Sequence, residues 1–111
     1  MIEKETPTHW VKIYLSGPID IAKQVIRAEC LSEGLCVTIE PTHFIYTGGE
    51  ELGYVVGLIN YPRFPVEPSS LEQRAHDLMI KLLDGTFQHS ALMMTPTITK
   101  WISKRNHTLS Q

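Results

Sequence analysis

A proline-rich segment carries the most unusual combination of side chains in the sequence. The run Tyr61-Pro62-Arg63-Phe64-Pro65 sets two aromatic rings and a guanidinium group on a backbone that the prolines restrain. A segment restrained in this way loses little entropy when a ligand binds. Arginine can grip phosphate or carboxylate groups with two parallel hydrogen bonds, and the rings could stack on a nucleobase. We therefore predict ligand contacts for Tyr61, Arg63 and Phe64. The alternative is a rigid loop that closes the core.

The turn between the first strand and the first helix is a second candidate anion site. In Leu15-Ser16-Gly17-Pro18, backbone N–H groups and the positive end of the next helix would meet at one point, a geometry that binds anions. Lys12 adds a charge and Tyr14 a ring on one side of the strand. We predict ligand contacts for Lys12, Tyr14, Ser16 and Gly17. The alternative is a purely structural turn, because many strand-to-helix turns share this character.

Two adjacent carboxylates, Glu50 and Glu51, fall at a predicted hairpin tip. Paired carboxylates can perform acid–base chemistry where burial separates their pKa values. At a hairpin tip they are more often solvated, or they contact a neighbouring subunit or a partner, so we assign both to an interface. The five histidines are scattered and show no zinc-binding spacing. We therefore predict no catalytic residue, no metal site and no cofactor.

The strands that position these residues follow from alternating apolar side chains. Period-two patterns predict strands over 10–16, 35–46, 53–60 and 90–95, and they leave room for a fifth over 98–103. Between the second and third strands, Thr47-Gly48-Gly49-Glu50 predicts a turn, because glycine permits positive φ.

Two helices separate these strands. Helical spacing predicts one helix that starts at Pro18 and a second that is capped by Ser69 or Ser70, with Glu72 or Gln73 completing a capping box. The resulting order of elements is that of an α+β, ferredoxin-like βαββαβ sandwich. In this fold both helices cover one face of an antiparallel sheet, and the other face stays open.

The open face of that sheet is predicted to be apolar. It would carry Trp10 and Tyr14 from the first strand and Val55 and Ile59 from the third. An apolar patch of this size on a small protein indicates that something covers it, either a second copy, another partner or a flat ligand. We predict a homo-oligomer with Trp10, Val55 and Ile59 in the interface, since symmetric self-association is the commonest solution.

Length and composition limit the domain organisation and the class of partner. The 111 residues, 42% of them hydrophobic and 20% charged, indicate one ordinary globular domain over 9–104, with a flexible lead over 1–8 and a flexible tail over 105–111. Residues 28–72 hold seven Glu and one Arg, whereas residues 73–111 hold five basic and two acidic residues. Without a broad basic surface, nucleic-acid binding is disfavoured.

The chain also lacks the sequence features of membrane and secreted proteins. Its apolar runs are too short to span a membrane, and its first residues do not have the basic and then apolar order of a secretory signal. Two cysteines give no disulfide framework. We predict a cytoplasmic location and no membrane partner.

Two local resemblances to known families add further expectations. Lys12-Ile13-Tyr14-Leu15-Ser16-Gly17-Pro18 resembles the first strand and turn of the nucleoside 2-deoxyribosyltransferases, which implies a nucleoside substrate and a Glu nucleophile. The position where that Glu would be sought holds Gln88 instead. The runs Phe44–Glu51 and Asn60–Pro65 are similar to small uncharacterised proteins of tailed bacteriophages. That resemblance implies action in the cytoplasm of an infected host.

These observations lead to one functional prediction and two alternatives. The prediction is a non-catalytic, oligomeric binding protein that sequesters an anionic, nucleotide-like small molecule at a subunit boundary. Arg63 and Lys12 would neutralise phosphate, and aromatic side chains would stack on the base. The first alternative is an inhibitor that binds a host enzyme through its acidic hairpin. The second is a nucleoside-processing enzyme.

Overall fold

The part of the chain that the structure describes holds two helices and five strands. The computed structural model describes residues 1–33 and 35–105. In chain order the elements are β1 (Trp10–Ser16), α1 (Ile19–Glu33), β2 (Val37–Tyr46), β3 (Gly49–Ile59), α2 (Pro68–Gly85), β4 (Ser90–Met94) and β5 (Thr99–Ser103).

The five strands form one antiparallel sheet in the order β2-β3-β1-β4-β5. The first four strands of this order have the arrangement of a ferredoxin-like fold, which confirms the predicted fold class. The fifth strand is also confirmed, since β5 pairs with β4 from Ser90–Ser103 to Met94–Thr99.

One face of the sheet is covered by both helices, and the core lies between them. Alternate residues of the strands point into this core because successive side chains of a strand lie on opposite faces. Its buried members are Val11, Ile13, Leu15, Ala22, Ile26, Tyr54, Val56, Leu58, Leu71, Ala75, Leu78, Met79, Leu82, Leu83, Ala91 and Met93.

An ion pair joins the two helices at the edge of the core. Lys81 Nζ lies 2.6 and 2.7 Å from the two carboxylate oxygens of Glu29. The Glu29 side chain is only 8% exposed, whereas half of the Lys81 side chain is accessible. The carboxylate is therefore mostly removed from water and depends on the lysine for compensation.

The β2–β3 hairpin extends past the end of β1. The last pair between β1 and β3 is Ser16–Gly53, whereas β2 and β3 stay paired as far as Tyr46–Gly49. We call residues 43–52 the arm. Ile45 and Leu52 lie on the side of the arm that continues the helix-covered face, and they are 75% and 73% exposed.

Two details differ from the sequence-based expectations. The turn is tighter than predicted, because Gly48, with φ of 89°, reverses the chain and β3 begins at Gly49 rather than Gly53. The predicted capping box is wrong: Pro68 takes the first turn of α2, so the N-cap is Glu67, whose side chain makes no capping hydrogen bond.

The chain ends were predicted to be flexible. Within the N-terminal lead, Thr6 Oγ1 and the Pro7 carbonyl accept hydrogen bonds from the Asn60 side chain at 3.1 and 2.9 Å. Of the predicted tail, residues 106–111 lie outside the described residues.

Candidate functional site on the open sheet face

The strand register determines which side chains share the open face of the sheet. Tyr14 pairs with Val55 on one side and Leu92 on the other, and Trp10 pairs with Ile59. Leu92 in turn pairs with Trp101 of β5. The open face therefore carries a continuous band of aromatic and aliphatic side chains across β3, β1, β4 and β5, as the sequence predicted for its first and third strands.

A shallow cavity of about 210 Å³ lies on this face beside the base of the arm. Aromatic side chains from three strands contribute to its wall, and two serines supply hydroxyl groups. Its lining residues are Tyr14, Leu15, Ser16, Phe44, Ser90, Ala91, Leu92 and Trp101.

Gly53 explains why the Phe44 ring reaches this cavity. A Cβ atom at Gly53 would lie 2.5 Å from the Phe44 ring, 3.0 Å from the Ser16 Cα, and in collision with the Leu15 carbonyl oxygen. Only a residue without a side chain fits between β1 and the ring. The glycine thus lets Phe44 fold across β3 towards the end of β1.

A carboxylate stands next to the aromatic cavity. The Tyr46 hydroxyl donates a hydrogen bond of 3.0 Å to Glu51 Oε1. The Tyr46 ring lies over Gly49, its cross-strand partner, where a Cβ atom would come within 3.1 Å of the ring. The tight turn at Gly48 sets this register, so the hairpin itself brings the phenol to the carboxylate.

The same hydrogen bonds set the charge state of the cluster. Hydrogen bonds from Ser16 and then from Tyr46 hold the pKa of Glu51 below its ordinary value. The bond to Glu51 raises the pKa of Tyr46 in return. At neutral pH the cluster therefore holds a carboxylate anion and a protonated phenol, and the carboxylate is suited to a cation or a hydrogen-bond donor.

The structure places some of the predicted ligand residues at this site. Tyr14 and Ser16 line the cavity. Lys12, two residues before Tyr14 on β1, lies on the same face, and its Nζ is 5.3 Å from the centroid of the Trp10 ring. The Gly17 N–H donates a hydrogen bond of 3.0 Å to the Leu52 carbonyl, so this amide ties the turn to the arm.

The other predicted ligand residues lie elsewhere. Because β1 and β3 are antiparallel, the loop after Ile59 begins beside Trp10, at the opposite end of β1 from Ser16 and roughly 20 Å away. There the Arg63 Cζ atom lies 5.3 Å from the centroid of the Phe64 ring, and the ring centroids of Tyr61 and Phe64 are 6.3 Å apart. The predicted binding set is therefore divided between two ends of the sheet.

The predicted interface residues are also divided. Trp10, Val55 and Ile59 lie together on the open face. Glu50 and Glu51 lie on opposite sides of the arm. Glu51 faces Tyr46, whereas Glu50 Oε2 lies 3.4 Å from His43 Nε2. Their roles in an interface remain predictions.

Sequence reasoning missed Phe44, Tyr46 and Trp101. The signal for Tyr46 was the register that a two-residue turn at Thr47-Gly48 imposes, which places Tyr46 opposite Gly49 and Glu51 opposite Phe44. The signal for Trp101 was the alternation within the fifth strand, which places it opposite Leu92.

The structure also gives, within residues 1–33 and 35–105, no group of three or more His, Cys, Asp or Glu side chains suited to a metal ion. Neither described helix is long and apolar enough to cross a membrane.

Comparison with known proteins identifies the fold. No family model and no curated protein sequence matches the chain. A phage SAM lyase in its apo state matches with a TM-score of 0.71 and 13% identity, over 96% of this chain and 98% of that chain. A phage SAM lyase in complex with S-methyl-5'-thioadenosine matches with a TM-score of 0.63 and 12% identity, over 93% and 95% of the two chains.

These matches correct the functional prediction. Both matching structures are lyases, which favours a catalytic role, so the prediction of non-catalytic sequestration was wrong, and so was the preference for a non-enzyme that went with it. Both are phage proteins, in agreement with the predicted resemblance to phage proteins. The comparisons give no similarity to nucleoside 2-deoxyribosyltransferases.

Proposed function

We propose that this protein is a lyase that cleaves S-adenosylmethionine (SAM) and releases 5′-methylthioadenosine. The observation that carries the proposal is the position of Glu51. On a fold that matches SAM lyases over almost its whole length, a hydrogen-bonded carboxylate stands beside an aromatic cavity large enough for part of a nucleoside.

The S-methyl-5'-thioadenosine bound to the second neighbour supports one particular bond of SAM as the one that is broken. S-Methyl-5'-thioadenosine keeps the adenosyl group, the sulfur and the methyl group of SAM, so cleavage occurs between the sulfonium sulfur and the Cγ of the aminobutyryl group. The electron pair of that bond moves to sulfur, which becomes a neutral thioether. A lyase adds no water, so either the substrate's own carboxylate forms a bond to Cγ, or Cβ loses a proton to a base.

The charge of the substrate fits the acidic hairpin better than it fits the predicted anion site. The sulfonium and ammonium groups of SAM are positive, and Glu51 is a carboxylate whose pKa is lowered by Ser16 and Tyr46. Cleavage neutralises the sulfonium, so a carboxylate at the sulfur would stabilise the substrate more than the transition state. We therefore assign Glu51 to the ammonium group.

The aromatic cavity then receives the nucleoside. Adenine can stack on Phe44 or Trp101, and the sulfonium lies against the apolar wall at Leu92. An apolar wall solvates a cation poorly and a thioether well, which favours the cleaved state over the substrate.

A second copy of the chain would complete this site. Pockets that bury most of a drug-sized ligand have volumes of about 300–1,000 Å³, and this cavity of about 210 Å³ is open. The apolar band around Trp10, Val55 and Ile59 continues from the cavity along the open face. Self-association, predicted from the sequence, would cover that band and close the cavity.

The direct test is product formation from SAM by the purified protein. Chromatography with mass detection should show 5′-methylthioadenosine, and proton NMR should distinguish a lactone from an alkene as the second product. Glu51→Gln should lower kcat/KM about 10- to 100-fold, the cost of losing a charged hydrogen bond to the substrate.

The matched control is Glu67→Gln, which makes the same chemical change at an exposed position outside the site. It should leave the rate unchanged. No product at high protein concentration, or equal rates for Glu51→Gln and wild type, would refute the proposal.

A further inference from the structure

The loop between β3 and α2 is held against the N-terminal lead by one buried side chain. Asn60, only 8% exposed, donates side-chain hydrogen bonds to Thr6 Oγ1 at 3.1 Å and to the Pro7 carbonyl at 2.9 Å. Its side-chain oxygen accepts a bond of 3.0 Å from the Val66 N–H, and its own N–H donates one of 2.9 Å to the His9 carbonyl. A buried polar group bonded in this way fixes two segments that belong to no helix or strand.

A turn fixes the shape of the loop itself. The Phe64 N–H donates a hydrogen bond of 2.9 Å to the Tyr61 carbonyl and closes a turn whose second residue is Pro62. Proline restrains φ at this position. Together with Asn60, the turn holds the loop in one conformation before a ligand binds, so little conformational entropy remains to be lost.

A cavity of about 500 Å³ lies between the lead and the loop. Its volume falls within the range of small-molecule sites. Ile2, Tyr61 and Pro62 supply its apolar and aromatic walls, and Lys4 and Arg63 supply its charges. Its lining residues do not overlap with those of the cavity beside the base of the arm, which is at the other end of β1.

The two cations of this cavity are available to an anion. Within the described residues 1–33 and 35–105, neither Lys4 nor Arg63 forms an ion pair or a side-chain hydrogen bond. The Arg63 guanidinium lies against the Phe64 ring, a contact that orients its planar group without neutralising its charge. The cavity lining includes no carboxylate.

We propose that this cavity is a second binding site, which takes a nucleoside monophosphate. A phosphate monoester carries a charge of about −1.5 to −2 at pH 7, which matches one lysine and one arginine. Arg63 binds two phosphate oxygens through parallel hydrogen bonds, and Lys4 binds as a point charge. The base stacks on Tyr61, and stacking tolerates any base because each has a flat face.

The sign of the charge separates this site from the proposed SAM site. SAM is a cation whose ammonium group we assign to Glu51, whereas the cavity at the loop presents only positive charge. The inference does not rest on the proposed reaction, and nucleotide binding here takes no part in that reaction.

Calorimetric titration of the full chain with adenosine 5′-monophosphate (AMP) tests the site directly. AMP should bind with measurable heat at one molecule per chain. Adenosine and inorganic phosphate each keep only part of the ligand, so each should bind about 10-fold or more weakly than AMP. These two arms separate recognition of the whole nucleotide from simple attraction of an anion or a ring.

Variants at the loop assign the contacts. Arg63→Gln should weaken AMP binding about 10- to 100-fold, the cost of losing a charged hydrogen bond. Tyr61→Ala should weaken the binding of AMP but not of inorganic phosphate. The matched control is Arg27→Gln, which makes the same change at an exposed position of α1 and should leave AMP binding unchanged.

Competition separates the two cavities. Saturating 5′-methylthioadenosine, or the substitution Tyr14→Ala, should leave AMP binding unchanged, because both act at the other end of β1. Four results would overturn the inference: no heat with AMP, unchanged affinity in Arg63→Gln, displacement of AMP by 5′-methylthioadenosine, or loss of AMP binding in Tyr14→Ala. A failed AMP titration would leave the proposed reaction standing, and a protein inactive on SAM would leave the AMP site standing.

Discussion

The two faces of the sheet are built from alternating residues of the same strands, yet they differ in almost every physical respect. On the covered face, Val11, Ile13 and Leu15 of β1 are buried against the helices. On the open face, Lys12, Tyr14 and Ser16 alternate with them and share their surface with aromatic rings and a carboxylate. The covered face is uniform and close-packed, whereas the open face is chemically mixed.

This difference separates the residues that stabilise the fold from those available for chemistry. The covered face excludes water and offers little except dispersion and the hydrophobic effect. On the open face, Gly53 makes room for Phe44, and the hairpin turn brings Tyr46 to Glu51. Folding thus depends mainly on one face and proposed function on the other, and the predictions below test this division.

The largest difference in stability is expected between variants at two neighbouring residues of β1. Ile13→Ala removes a fully buried side chain and should lower the free energy of unfolding by about 2–5 kcal/mol. Tyr14→Ala removes an open-face ring and should cost only about 1 kcal/mol. Denaturant unfolding at one fixed protein concentration, without ligand, measures both.

Activity should show the reverse order. If the open face binds the nucleoside, Tyr14→Ala raises KM for SAM, whereas Ile13→Ala leaves KM unchanged wherever the protein is folded. Equal effects of the two substitutions on stability and on KM would contradict the division of labour between the faces.

Gly53 should be the most sensitive glycine of β3. In Gly53→Ala the added Cβ meets the backbone of β1 as well as the Phe44 ring, and we expect a loss of about 1–3 kcal/mol together with a displaced ring. In Gly57→Ala the added Cβ meets only the Thr38 side chain, which can rotate, so a smaller loss is expected. Thermal unfolding compares the two variants; a larger effect at Gly57 would mean that backbone crowding at Gly53 is not the controlling factor.

The covered side has its own charged pair, and its behaviour should differ from that of Glu51. Lys81→Met leaves the mostly buried Glu29 carboxylate without its lysine, which should lower stability by about 1–3 kcal/mol. The double variant Glu29→Gln with Lys81→Met should recover much of that loss, since no buried charge remains. Purely additive effects in this double-mutant cycle would show that the two side chains are not coupled.

The sequence was sufficient to predict the fold because burial on the covered face leaves a periodic record. In β1 the buried side chains of Val11, Ile13 and Leu15 alternate with side chains of the open face, and in α2 the apolar residues recur at helical spacing. These two periods predict which segments are strands and which are helices, and in what order they occur. The start of α2 was missed because Ser69 or Ser70 was taken as the cap, whereas Pro68 occupies the first turn and Glu67 is the N-cap.

The site was harder to predict because it depends on contacts between distant segments. Tyr14 and Ser16 were identified, but Trp101 reaches the cavity only because β5 pairs with β4 in one register. Tyr61 and Arg63 combine chemistry that looked suitable for a ligand, yet strand direction places them at the other end of the sheet. Residue type indicated binding chemistry; topology determined which residues meet.

The smallest predicted effect concerns the acid titration of Glu51. Hydrogen bonds from Ser16 and Tyr46 favour the carboxylate in the folded protein, so its folded pKa lies below its unfolded pKa. The stability that this group contributes is therefore present above the unfolded pKa and is lost as the pH falls through the folded pKa. Ser16→Ala and Tyr46→Phe should each move the Glu51 midpoint upward, measured by NMR of the carboxyl carbon. As a control, Tyr61→Phe removes a phenol hydroxyl at the other end of the sheet and should leave the Glu51 midpoint unchanged. If neither Ser16→Ala nor Tyr46→Phe shifts the midpoint, the arm does not hold these groups together in solution.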